Sequence, residues 1–104
     1  MAHSAPAAEA PRNLFALERA NKVRRGRADL KRRVCAGELT AAEVILSCPW
    51  QVRTMSVGEL LASQRSWGRV RSGRLLHSLR VPDGKQVGRL TERQRLALAA
   101  VLKR

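Results

Sequence analysis

The amino-acid sequence predicts an all-α fold, with a long N-terminal helix followed by a compact module of shorter helices. Three observations predict it. Ala, Leu and Arg dominate the 104 residues, whereas Tyr is absent and Phe occurs once; this is a composition of good helix formers. No run alternates apolar and polar residues as a half-buried strand would. Ser or Thr followed three positions later by Glu or Gln recurs ahead of apolar runs, the pattern of a helix start. The length suits one domain with a single modest core.

Residues 1–11 hold two prolines and a run of alanines and are expected to form a flexible arm. The first helix is predicted from Arg12 or Leu14 to about Cys35, stopped by Gly37. Its apolar stripe is Ala16, Ala20, Val23, Leu30 and Val34, narrow enough that the helix should lean on the rest along one seam. Gly26 in its middle costs about 1 kcal/mol relative to Ala, which marks a place for bending or fraying. The expected organisation is therefore an arm at 1–11, a long basic helix at 12–36 and a folded module at 37–104.

Three capping boxes punctuate the module. Thr40-Ala-Ala-Glu43 opens a helix to about Ser47, ahead of Pro49, and Ser56-Val-Gly-Glu59 opens one to about Ser63. Thr91-Glu-Arg-Gln94 opens the last, which runs to Lys103. Between the last two boxes, Gly68 to about Leu79 reads as a helix with the stripe Val70, Leu75, Leu76 and Leu79, stopped by Pro82-Asp-Gly84. The predicted core is Val44, Ile45, Val57, Leu60, Leu61, Leu75, Leu76, Leu79, Leu98, Val101 and Leu102. Trp50, after Pro49, is assigned to the core. Trp67, beside Gly68, fits either the core or a groove edge of a ligand.

Charge narrows the function. The formal net charge is +13, and it is unevenly placed. Residues 12–33 carry +7, residues 34–63 carry −2 and residues 64–95 carry +7. Such a balance points to a nucleic-acid partner. The second basic block is not a disordered tail, because Leu75, Leu76, Leu79, Val81, Val87 and Leu90 are woven through it. No segment is apolar over the roughly 18 residues that cross a membrane, and the N-terminus lacks a secretory pattern; a cytoplasmic protein is expected. Cys35 and Cys48 have no metal-ligand spacing and are read as small buried hydrophobes. His3 and His77 have no evident catalytic partner, and no phosphate loop or nucleophile elbow occurs. Neither enzymatic activity, nor a metal or cofactor, nor a small-molecule substrate is expected.

Two segments are suited to grip phosphates. In the first, Trp67-Gly68 precedes a helix whose early residues are Arg69 and Arg71, with Arg74 following; Gly68 allows close backbone approach, and free amides at a helix start bind anions. In the second, Lys85-Gln-Val-Gly-Arg89 leads into Thr91 and Arg93, with Gly88 as the small residue. Cations in a helix's first turn oppose its dipole, a local cost that a docked polyanion would offset. The first helix adds a second basic face, represented by Arg24, Arg25 and Arg32.

These blocks raise a resemblance. Met55-Ser-Val-Gly-Glu-Leu-Leu61, Trp67-Gly-Arg-Val-Arg71 and Val87-Gly-Arg-Leu-Thr-Glu-Arg-Gln-Arg95, with Ala28-Asp-Leu-Lys31, make the chain resemble the actinobacterial-type integration host factors over roughly residues 12–104. These are small basic nucleoid-associated proteins. The resemblance implies a long N-terminal helix followed by a helix–two-turn–helix DNA-binding module. It also implies duplex DNA binding through phosphates with little base preference, DNA bending and chromosome organisation. Carried over by position, the phosphate-gripping loop is Ser66–Arg71, thus Ser66, Trp67, Gly68, Arg69, Val70 and Arg71, and the second contact runs from Lys85 through Arg89. At that second contact the chain departs from the family's denser arginine run. The expected partner is double-stranded DNA, bound by a protein monomeric in solution. An RNA-binding or ribosome-associated role for the same module is the alternative. A membrane-surface or protein-binding role for residues 12–35 is disfavoured by the thin apolar stripe.

Overall fold

The computed structural model describes residues 10–103; the expected arm lies, over residues 1–9, outside the described residues. Among the described residues there are five α-helices, one 3₁₀ turn and no strand. The helices are α1 (Ala10–Cys35), α2 (Ala41–Ser47), α3 (Val57–Ala62), α4 (Arg69–Ser78) and α5 (Glu92–Leu102); the 3₁₀ turn is Val87–Arg89. This is the all-α architecture the composition predicts, a long helix followed by a compact helical module.

The 26 residues of α1 make a rod of about 39 Å at 1.5 Å per residue. Only its later turns, from Lys22 onward, touch the module. Leu30 and Val34 are buried, Val23, Gly26, Arg27 and Lys31 are half-buried, and residues 13–20 are exposed on every side. The predicted stripe therefore holds from Val23 onward, while Ala16 and Ala20 face solvent because the module covers only the later turns. Gly37, at φ +83°, ends the helix. Its N–H donates to Val34 O at 3.1 Å and that of Glu38 to Arg33 O at 2.9 Å, the paired bonds of a left-handed C-terminal cap.

The helix runs unbroken through Gly26. A Cβ there would lie 2.8 Å from Trp50 Cη2 and 2.9 Å from Gln51 Cγ. The glycine is a seat for the segment after α2, and that close packing offsets its poor helix propensity. It also corrects the placement of Trp50, whose ring lies on the outside of α1 and is 45% exposed.

Of the three capping boxes, one is complete. Thr91 Oγ1 accepts from Gln94 N at 3.1 Å, and Gln94 Oε1 accepts from Thr91 N at 3.1 Å. Thr40 and Ser56 cap α2 and α3 through Glu43 N and Glu59 N at 3.0 and 3.2 Å, but neither glutamate returns to its cap. Glu59 is drawn instead to Lys31 of α1, at 2.8 Å. Helix α4 ends before Pro82. Arg80 adopts φ 58°, its N–H donates to His77 O at 3.0 Å, and Val81 N–H donates to Leu76 O at 2.9 Å.

α2 packs on α5 and α3 on α4. The core joins Val44, Ile45, Val57, Leu60, Leu61, Leu76 and Leu98 with Leu30 and Val34 of α1. Leu75, Leu79 and Leu102 pack at its margin. Val52, Met55, Val81, Val87 and Leu90, all buried, come from turns and were not in the predicted core. Arg95 locks the assembly. Its guanidinium donates to Ile45 O at 2.6 Å, Val87 O at 3.1 Å and Leu90 O at 3.2 Å, tying the end of α2 and the 3₁₀ segment to α5.

Candidate nucleic-acid interface

The first grip is built on the entry to α4. After α3, Trp67 N–H donates to Gln64 O at 3.0 Å, and Ser66 takes a left-handed conformation, φ 69°, that reverses the chain. Trp67 is half-buried: it packs against the core while the Arg71 guanidinium lies over its ring, 4.1 Å from the centroid. The core alternative for Trp67 therefore holds in part, with one face of the ring covered by Arg71. The stack holds Arg71 in place at low entropic cost for any contact it makes.

Gly68 is the N-cap of α4, and no side chain caps that helix. Its first turn contains no acidic residue, whereas Glu43, Glu59 and Glu92 occupy the first turns of α2, α3 and α5. The free amides and the positive pole of α4 are therefore uncompensated, and exposed Arg69 and Arg71 add to them. A Cβ built on Gly68 meets nothing within 4 Å, and its backbone is extended, φ −106°. The fold does not require glycine at this position; open space in front of the backbone is what it provides. Arg74 is exposed one turn further on.

Val70 departs from the predicted stripe and is 69% exposed. At 100° per residue it lies about 120° around α4 from Leu76, and Ser72, one turn before Leu76, takes the buried face. Val70 sits at the surface between Arg69 and Arg71.

The second grip is made differently. Lys85 is half-buried and its Nζ donates to Gln94 Oε1 at 2.9 Å, so the lysine is braced against the capping box of α5. Arg89, in the 3₁₀ turn, and Arg93, in the first turn of α5, are exposed. The start of α5 is capped by Thr91 and Gln94 and followed by Glu92, so this grip offers side-chain charge rather than free amides. Gly88 is there for packing: a Cβ would lie 2.7 Å from Arg53 Cγ and 2.8 Å from Arg53 O. Both grips are fastened to α3. The N–H groups of Val57 and Gly58 donate to Lys85 O and Asp83 O at 2.8 and 3.0 Å, and α4 packs on the same helix.

On α1, Arg24 and Arg25 are exposed. Arg32 is exposed too, but pairs with Asp29 at 2.9 Å, which lowers its share of the field. Cys35 is exposed and Cys48 half-buried, both as free thiols. The expectation of two buried cysteines fails at Cys35, which lies off the Leu30–Val34 face. His77 is exposed at the end of α4. Among the described residues, no three His, Cys, Asp or Glu side chains gather as a metal site would require, and no helix is long and apolar enough to cross a membrane.

The chain superposes on a solved structure of sIHF bound to an 8-base-pair palindromic DNA, with a TM-score of 0.76. The match covers 82% of this chain and 98% of that one, at 28% sequence identity. The chain has the fold of an sIHF-type integration host factor. No family model matches the sequence, and no curated protein matches it. The likeness to sIHF is carried by the fold, in agreement with the family resemblance read from the sequence.

Sequence reasoning missed two residues here. Arg95, inside a basic run, is a structural clamp rather than a surface cation. Arg53, alone in the near-neutral stretch 34–63, is exposed against Gly88 of the second grip. No sequence signal marks the contact between Arg53 and Gly88, since it joins two turns far apart in the chain.

Proposed function

We propose that this protein is an architectural, nucleoid-associated double-stranded DNA-binding protein. It acts as a monomer and a binding protein rather than an enzyme, and it contacts phosphates with little base preference and bends or compacts the duplex. The observation that carries this reading is the start of α4: uncapped, free of acidic residues, open in front of Gly68, and flanked by Arg69 and Arg71. The likeness to sIHF bound to DNA supports the same partner. In this reading Ser66 through Arg71 and Arg74 hold one stretch of backbone. Lys85, Gly88, Arg89 and Arg93 hold a second, and Arg24, Arg25 and Arg32 of the long helix face an adjacent part of the duplex. Contacts confined to phosphates fix position without reading sequence.

The test is the double variant Arg69→Ala/Arg71→Ala, titrated by fluorescence anisotropy against several unrelated duplexes. Affinity falls for all of them alike; loss confined to one sequence overturns phosphate-only recognition. Competition between duplex DNA and a structured RNA decides between the two nucleic acids, and preference for the RNA replaces this function with the ribosome- or RNA-associated one. Ring closure of short linear DNA reads out bending, and unchanged closure removes it.

A further inference from the structure

We infer that the turn at residues 50–54 is a further DNA contact, formed by Trp50 and Arg53, that makes the second grip continuous with the basic face of α1. The inference rests on the DNA-binding function proposed above and extends it to residues outside both grips.

The local sequence dictates which side chains face outward. Cys48 adopts φ 45° and Pro49 follows it, so the chain leaves α2 sharply. Val52 N–H donates to Pro49 O at 3.0 Å and Met55 N–H to Val52 O at 2.9 Å, while Val52 and Met55 are fully buried. With those two anchored inward, Trp50, Arg53 and Thr54 are turned to the surface, where all three are exposed.

Each of them touches a neighbouring basic element. Arg53 O accepts from Gly88 N at 3.0 Å, and Arg53 Cγ lies against Gly88, the residue before Arg89. Thr54 Oγ1 accepts from Nη2 of Arg27 in α1. The Trp50 ring lies over Gly26, with Lys22 Nζ 5.1 Å from its centroid. An unbroken path of contacts therefore runs from the 3₁₀ turn through residues 53 and 54 to α1 and Lys22.

The charge along this path is unanswered within the protein. Among the described residues, none of Lys22, Arg27, Arg53 and Arg89 pairs with a carboxylate. The half-buried Arg27 guanidinium bonds only to a neutral hydroxyl, and its Nε has no partner. A large aromatic ring kept at the surface among unpaired cations suits the edge of a double helix. The cations take phosphates, and the ring packs on a sugar or enters the minor-groove edge, where apolar side chains promote bending. A duplex that meets the second grip, this turn and α1 together is contacted over one continuous stretch of the protein.

The chain contains two tryptophans, which gives a direct readout. Full-length protein labelled with 5-fluorotryptophan shows two ¹⁹F resonances, assigned with the variant Trp50→Phe, and is titrated with a duplex of roughly two helical turns. The Trp50 resonance shifts and broadens at saturation. Arg53→Ala lowers affinity roughly three- to tenfold and makes the slope of log K against log salt shallower by about one. If wild-type protein binds the duplex while the Trp50 resonance stays fixed and Arg53→Ala binds normally, the inference falls and the DNA-binding function stands. If wild-type protein does not bind the duplex, both fall.

Discussion

Arg95 separates an arginine that holds the fold from arginines that face a partner, and its replacement by Met tests that distinction. Met keeps a long unbranched stem and comparable helix propensity, so the substitution removes chiefly the guanidinium. That group donates to three carbonyls, at 2.6, 3.1 and 3.2 Å. Ile45 O, near the C-terminal end of α2, lacks a continuing helical turn to bond it, and a cation there also suits the helix dipole. A hydrogen bond to a charged group contributes about 1.5–3 kcal/mol, and an abandoned buried acceptor costs about 1–3 kcal/mol. The three bonds share one side chain and do not add, so the expected loss is about 3 kcal/mol. For a domain of this size that lowers the melting temperature by roughly 12–24 °C, followed by circular dichroism at 222 nm. Arg95→Lys keeps the charge but not the fork and should fall between. Well below its melting temperature, Arg95→Met should bind DNA nearly as wild type does. Melting within about 2 °C of wild type would refute the clamp, and folded protein with lost DNA binding would make Arg95 a contact residue.

Three further substitutions have definite expected outcomes. Gly68→Val costs about 1 kcal/mol at most, because valine is a poorer N-cap than glycine although nothing lies within 4 Å of an added Cβ, and the folded variant binds DNA more weakly because the side chain keeps a phosphate off the backbone; equal affinity by anisotropy would remove the close-approach role. Ser72→Ala stabilises the fold by about 1 kcal/mol, since the Ser72 hydroxyl is buried without a partner, and a lower urea midpoint would contradict this. Arg80→Gly relieves a left-handed arginine at φ 58° and raises stability by about 0.5–1 kcal/mol; a drop in melting temperature would show that the side chain holds more than it strains.

Much of the fold was legible in the sequence, for identifiable reasons. Helix starts were marked by Thr40, Ser56 and Thr91, and the end of α1 by Gly37, because caps are local chemistry. The buried turns were legible only in part: Val81, Val87 and Leu90 stood out as apolar residues within a basic block, but with Val52 and Met55 they have no shared period, and only the tertiary fold brings them together. Trp50 was misplaced because hydrophobicity alone does not reveal the seat that Gly26 provides on α1. Glu59 was read as half of a capping box, and a non-local ion pair with Lys31 takes it away. The candidate site follows the same rule. The start of α4 could be read because glycine and arginines lie side by side in the chain. Arg53 could not, because its neighbour Gly88 lies on a distant turn.

The most direct test of the central claim is the salt dependence of binding to duplex DNA. With about 6–8 phosphates neutralised by the two grips and the basic face of α1, log K falls linearly with log salt at a slope of roughly −5 to −7. A slope near zero would contradict an interface made of arginines, lysines and helix amides against a polyanion.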